Sequence, residues 1–399
     1  MRFPDFSLHS MPRRLAAPAS WMAWMALVAL PTQASPVPTP AGDDVVIEVL
    51  RDSALSPQER QWRQDRTRLQ QNPTQLDLAL KVAEGAIRLG RQDGDPRRLG
   101  QAQAALAPWW SQRQPPADVR LLRATILQSQ HHFDQALADL QALTQAEPQR
   151  AQAWYTLAAV AQVTGRYPLA QQACSALSRL PVGPAGTLCL MDLQSLQGQA
   201  RAAQTTLARL ALQTPAALQA PLALVRAELA ERLGDSTDAA ARYAEVMALE
   251  PDPYAEGAWA DWMLDQGRAR DVWERLQHRT RHDGLLLRAL EAASALKLPQ
   301  ATALRQTFQA RMAAARARGD SIHVREEARF ALRTLKQPAQ ALQLARQNWS
   351  LQKEPIDARL LLEAARAAGQ LDAAEPMLAF CREAGWTDVR LGLTAGGQP

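Results

Sequence analysis

His278 and His282 stand four residues apart, the spacing that sets two imidazoles on one helix face as a metal pair needs. No glutamate lies between them, and Arg279 and Arg281 crowd the gap with charge that repels a cation. The expected reading is therefore a pair of solvent-exposed histidines. His131 and His132 are adjacent at an inter-helix turn before Phe133, and neighbours on a turn make poor joint ligands. Asp261, Asp265 and Asp271 stand among Trp259, Trp262 and Trp273, residue types that can build a sugar-binding cleft, but their spacing fits helical core positions better. The chain has no glycine-rich phosphate loop, no nucleophile elbow and no closely spaced cysteine pair. No catalytic residue, metal or cofactor is expected.

Cys174 and Cys189 leave two readings open, a bridge between adjacent helices or two buried thiols acting as small apolar groups. Cys381 has no evident partner and reads as core. Export bears on this choice, because oxidising compartments permit disulfides. Arg13 and Arg14 precede an apolar run from Trp21 to Leu30, Pro31 breaks it, and Thr32, Gln33 and Ala34 supply small residues at a cleavage point. That order marks a secretory signal, cut after Ala34. About ten apolar residues are too few to cross a bilayer, so no membrane span is expected in the mature chain. Residues 1–34 carry Arg2, Arg13 and Arg14 against Asp5, so the formal charge of +5 falls to +3 in the remainder. Its opposite charges are interleaved. The densest basic group, Arg268, Arg270, Arg275, Arg279 and Arg281, is broken by Asp271 and Glu274, which fits a solvated helix face and no nucleic-acid partner.

The elements that must hold any site come from a repeat. Ala102, Ala136, Ala170, Ala203 and Ala239 recur at spacings near 34. Four residues after each comes Leu106, Leu140, Cys174, Leu207 or Tyr243, and three further on Trp109, Leu143, Leu177, Leu210 or Val246. Small at one position and large at +4 and +7 marks a single helix face. An earlier helix in each unit has its own apolar spacing, seen in Trp154, Leu157, Ala158 and Ala161. Gly165, Gly198 and Gly234 end such first helices, while Pro148 and Pro251 close second ones. Ala341 and Ala374, with Gly369 before the latter, continue the pattern in degraded form. Tyr254 to Asp265 reads as a first helix, and 284–318 as a hairpin broken at Pro299. At the front, Ser56, Pro57 and Glu59 form a capping box opening a polar helix to about Gln71, and Thr74 is expected to cap the next.

This spacing resembles the tetratricopeptide repeat (TPR) family, with Trp154, Leu157, Ala158 and Ala170 in one unit and Ala124, Phe133, Ala136 and Pro148 in another. A third keeps Ala227, Gly234, Ala239, Tyr243 and Pro251. The resemblance implies an all-α, right-handed superhelical solenoid of about nine antiparallel hairpins with a concave binding groove. It places Leu121, Thr125, Gln128, Tyr155, Ala159, Gln162, Leu224, Glu228 and Glu231 on that groove. Their apolar and acidic character disfavours the lysine- and arginine-based grip on chaperone tails, and suits an extended peptide or partner helix.

The expected organisation is a signal peptide over 1–34, a flexible leader over 35–55 with a short strand at 45–50, a TPR-like array over 56–250, a degenerate array over 251–386 and a tail over 387–399. The leading functional expectation is a non-enzymatic protein-interaction scaffold of the periplasm or cell exterior, with a protein or peptide partner. A carbohydrate- or peptide-processing enzyme on a repeat scaffold, and an inner-membrane-anchored assembly factor, are the alternatives.

Overall fold

The computed structural model describes residues 55–249, 251–319 and 323–394. The export signal and the strand expected at 45–50 lie outside the described residues. Among the described residues the chain is helical throughout, with one antiparallel bridge between Asp388 and Leu393. Helix α1 (Pro57–Gln71) starts as its residues dictate: Ser56 Oγ accepts the Glu59 amide at 3.1 Å, while the Glu59 carboxylate turns to Arg98 at 2.9 Å. It buries Trp62, whose indole donates to Val82 O at 2.9 Å, and so covers the open end of the array.

Nine antiparallel hairpins follow among the described residues. The first pairs α2 (Leu76–Asp93) with α3 (Arg97–Ala105), extended by the short α4 (Ala107–Trp110). Next come α5 (Ala117–Ser129) with α6 (Phe133–Ala146), α7 (Ala151–Val163) with α8 (Tyr167–Ser178), and α9 (Ala185–Leu196) with α10 (Ala200–Ala211). The fifth and sixth are α11 (Ala216–Leu233) with α12 (Ser236–Ala248), and α13 (Pro253–Asp265) with α14 (Ala269–Leu276). The seventh is α15 (Asp283–Ala295) with α16 (Gln300–Ala317). In the eighth, α17 (Val324–Arg329) runs into a π-helical turn, Phe330–Thr334, before α18 (Pro338–Leu351). The ninth pairs α19 (Pro355–Ala367) with α20 (Glu375–Glu383). One expected boundary moves: Thr74 lies in the turn ahead of α2, and Gln75 occupies the cap position.

The repeat signature is the packing device. All five of its alanines are buried, as are Leu106, Leu140, Cys174, Leu207 and Tyr243 four residues on. A methyl at the crossing point lets the next helix approach closely. The large side chain beside it then fills the groove, and each buried leucine contributes about 1.5–3 kcal/mol. Each of the nine hairpin turns holds one residue with positive φ: Gly94, His131, Gly165, Gly198, Gly234, Gly267, Lys297, Lys336 and Gly369. Six are glycines. His131, Lys297 and Lys336 take the same left-handed conformation against the steric cost of their Cβ, which hides those turns from a glycine search.

The array also curls back on itself. The turns of the early hairpins abut the last ones: a Cβ on Gly165 would lie 2.6 Å from Phe380 Cζ, and one on Gly234 3.2 Å from Val389 Cγ2. Lys353 N donates to Val163 O at 2.7 Å and Thr387 N to Leu196 O at 2.9 Å. Carbonyls left over at the C-terminal ends of α7 and α9 thereby gain partners from the other end of the chain. Trp386 donates its indole N–H to Tyr167 Oη at 3.0 Å and packs with Trp349 and Phe380. One apolar cluster consequently holds residues from Ala124 to Leu196 together with residues from Ala328 to Leu391. Residues 387–394, expected as the start of a tail, are part of this closure, with Thr387, Asp388 and Leu391 buried. Among the described residues no helix is long and apolar enough to cross a membrane.

Candidate functional site

Because the array curls back, its concave side becomes a solvent-open recess with a wall from each end of the chain. The cavity has a volume of about 530 Å³ and is walled chiefly by α2, α11, α13, α15, α17 and α19, the first helices of their hairpins. That size falls within the range of small-ligand sites. A narrower cavity of about 110 Å³ adjoins it, lined by Tyr155, Ala159, Leu188, Leu218 and Val225 among others. Glu228, Arg232, Tyr254, Glu354 and Pro355 line both.

The wall of the larger cavity is built from arginines and carboxylates in alternation. Asp261 accepts from Arg288 Nη2 at 2.5 Å and pairs with Arg329 Nη1 at 2.5 Å. Arg329 holds Glu291 through two bonds of 2.7 Å, and Glu291 meets Arg333 at 3.8 Å. Arg333 then pairs with Glu363 at 2.9 Å, Glu363 with Arg359 at 2.7 Å, and Arg359 with Asp265 at 2.8 Å. Asp265 and Asp261 sit one turn apart on α13, so the pairs form a closed ring through four hairpins. Burial alone would raise the Asp261 carboxyl, but Arg288 and Arg329 outweigh it and hold it at about 2.

A second junction ties α17 to α19. Arg325 grips Asp357 at 2.6 and 2.9 Å and Glu354 at 2.5 Å, and Asn348 Nδ2 donates to Asp357 Oδ1 at 2.6 Å. On the far wall, Tyr243 donates its hydroxyl to Glu231 at 2.9 Å, and Arg390 pairs with Glu231 and with Asp388. Burial raises the Glu231 carboxyl despite Arg390. Two groups on the wall stand apart from this network. The Glu326 carboxylate has no ion pair among the described residues and is held by a backbone hydrogen bond within its own residue, and His282 Nδ1 is buried without a partner. Burial opposes the charge on Glu326, but Arg325, His323 and Arg288 keep its carboxyl below the usual range, so it is ionised at neutral pH.

The residues read from the sequence as groove positions divide three ways. Tyr155, Ala159 and Gln162 line the small cavity, Glu228 lines both, and Glu231 the large one. Leu224 is buried in the core of hairpins 5 to 7. Leu121, Thr125 and Gln128 line neither cavity: Leu121 packs on the main apolar cluster, Thr125 Oγ1 donates to Leu121 O at 2.9 Å, and Gln128 is fully buried with no partner for its amide. The recess is also far richer in arginine than the apolar and acidic groove expected, because its other wall comes from the C-terminal hairpins. Cys174 and Cys189 are disulfide-bonded, with Cα atoms 5.4 Å apart, and Cys189 borders the small cavity. Cys381 is buried and its thiol is pushed up to about 12 by burial.

Of the histidines, His278 is exposed, but His282 is not: it precedes α15, lines the large cavity and presses on the Gly94 turn. Trp259 and Trp262 are buried and Trp273 packs against the same core, while Asp261, Asp265 and Asp271 are each paired to arginine, so no aspartate–tryptophan cleft forms. The residues that do line the site, above all Arg325, Arg329, Arg333 and Glu326, escaped the sequence reading. Their i, i+4, i+8 arginines were visible as a stripe, but α17 is one and a half turns long and runs into a π turn, so no 34-residue phase led to it.

Fold and site together define a helical-hairpin repeat protein curled around a charge-lined recess. No protein-family model matches the chain, and no curated protein matches it. Among solved structures it is similar to the crystal structure of the P58(IPK) TPR domain, at 14% identity, covering 80% of this chain and 95% of that chain, with a TM-score of 0.20. A score that low adds nothing to the assignment, which stands on the hairpins and their buried alanines.

Proposed function

We propose that this chain is an exported, non-catalytic recognition protein that binds a short segment of a protein or peptide partner in its central cavity. The observation that carries the reading is the position of the cavity. The first helices of hairpins 1, 5, 6, 7, 8 and 9 converge on it, and their inward residues are polar where a merely structural interior would be apolar. A binding role is supported over catalysis by the pairing of most wall carboxylates with arginine and by the burial of Cys381. Export is supported by the charged, apolar and small-residue order of 1–34 and by the Cys174–Cys189 bridge, which suits an oxidising compartment. N-terminal sequencing of the mature protein is expected to begin at Ser35. A photo-crosslinking residue at Tyr155 or Arg88 is expected to capture one discrete envelope partner, while the same residue at exposed Leu212 captures none. Equal, diffuse capture from all three positions overturns the reading.

A further inference from the structure

We infer that the joint between the two ends of the array is a pH-operated latch: neutral His131 and His282 hold hairpins 1 and 2 against hairpins 7 and 8, and their protonation opens the curl. The inference rests on the curl itself and is independent of what the recess binds. His131, His282 and His323 gather around one carboxylate, Glu326, although they come from the turn of hairpin 2 and the N-caps of α15 and α17. At hairpin 1 the contact is tight: a Cβ on Gly94 would lie 2.6 Å from His282 Cδ2 and 2.9 Å from its Cα, and His282 Nδ1 is buried without a partner. At hairpin 2, His131 takes the left-handed turn position with φ 61°, and its ring stacks on Phe133 with centroids 5.3 Å apart.

The charges around each ring decide the sign. His131 faces His323, Arg325 and Glu326 at the start of α17 and Glu354 ahead of α19, with His132 and Asp134 on its own turn. His282 faces Arg279 behind it, Asp283 and Arg288 on α15 and Glu326 on α17; the Gly94 turn carries Asp93 and Asp95, the second held by Arg97 at 2.8 Å. Burial lowers both rings against the pull of Glu326, His131 to about 4 with help from Arg325, and His282 with help from Arg288. An imidazole released from the joint returns to its ordinary 6.5, so in acid the open state takes up protons that the curled state refuses. The curl is therefore fully latched above pH 6.5, and for His131 the ratio of curled to open chain falls about tenfold per pH unit down to about 4. Burial also raises Asp357 despite Arg325, which works in the opposite sense. Asp357 sits within the α17–α19 junction, on one side of the joint, and keeps its surroundings when the joint opens.

The test is a pair of distances measured between spin labels on the full mature chain at about pH 7.5 and about pH 4.5. Labels at Gln135→Cys and Gln306→Cys, exposed on α6 and α16, bracket the joint, while Gln135→Cys with Thr205→Cys spans hairpins 2 to 4 alone. In acid the first pair is expected to gain a longer distance, with the curled-to-open ratio down by at least about tenfold, and the second pair to keep its distance. His131→Asn together with His282→Asn is expected to abolish the response, and His278→Asn, at an exposed position, to keep it. The inference is overturned if no longer distance appears in acid. It is equally overturned if both pairs change together, as in general unfolding, or if the response persists in the double variant. Should the double variant fold poorly, the two label pairs on the chain with its histidines intact decide alone.

Discussion

In hairpins 2 to 5 the helices meet through Ala136, Ala170, Ala203 and Ala239, with leucine, cysteine or tyrosine beside each, and the Cys174–Cys189 bridge joins two neighbours covalently. In hairpins 6 to 9 apolar packing continues, but the first helices also meet through Asp261, Arg329, Glu291, Arg333, Glu363, Arg359 and Asp265. The first half is held by non-directional burial, which adds up unit by unit. The second adds to such burial a ring in which every member needs both neighbours, since a buried charge without its partner costs more than the pair contributes. The difference teaches where a repeat protein can place function: apolar contacts build the frame, and polar contacts line the space the frame encloses.

The comparison can be broken from either side. Arg329→Leu leaves Asp261 and Glu291 buried and short of a partner, and is expected to lose about 3–5 kcal/mol in urea unfolding, with amide exchange rising in hairpins 6 to 8 first. A loss below about 1 kcal/mol would mean that the ring is ornamental. Replacing Cys174 and Cys189 together by alanine opens a 15-residue separation and is expected to cost about 3 kcal/mol, read as faster exchange in hairpins 3 and 4 only. Gly165→Ala acts where the halves touch. Its φ of 72° and the 2.6 Å approach to Phe380 predict a loss of about 2–3 kcal/mol that loosens both halves together.

The smallest effect is a pH dependence at the second turn. Burial, and then the charge of Arg325, lowers His131 from its ordinary 6.5 to about 4, while Glu326 and Glu354 pull weakly the other way. The unfolded chain therefore takes up a proton near pH 6.5 that the folded chain refuses until about pH 4. The stability from a neutral His131 is complete above pH 6.5 and drains away as pH falls to 4. Thermal melts across that window are expected to flatten in His131→Asn, which also tolerates the left-handed turn; unchanged slopes would place the effect elsewhere, with His282, also lowered by burial, the next group to test.

The frame was legible in the sequence because its packing rule is local: Ala102 to Ala239 repeat every 34 residues or so, and the structure buries each of them. Hairpins 6 and 7 were read from Tyr254, Trp259 and Pro299 without a phase. The first helix of hairpin 8 was missed, since α17 and its π turn carry no alanine signature and Lys336 stands where glycine marks other turns. The site was legible only in part. Tyr155, Gln162, Glu228 and Glu231 fell on it by position, but Arg325, Glu326 and Arg390 reach it through closure of the array, and no periodicity along a chain reports which distant hairpins will touch.

That closure is the claim on which the cavity depends, and two amides report it directly. Hydrogen exchange at the Lys353 and Thr387 amides, bonded to Val163 O and Leu196 O, is predicted to be slow in the native protein. It should accelerate selectively in Trp386→Ala, which removes the contact with Tyr167. Exchange at both amides as fast as in an unstructured peptide, with hairpins 2 to 5 still protected, would mean that the array stands open and that the two-walled site does not exist in solution.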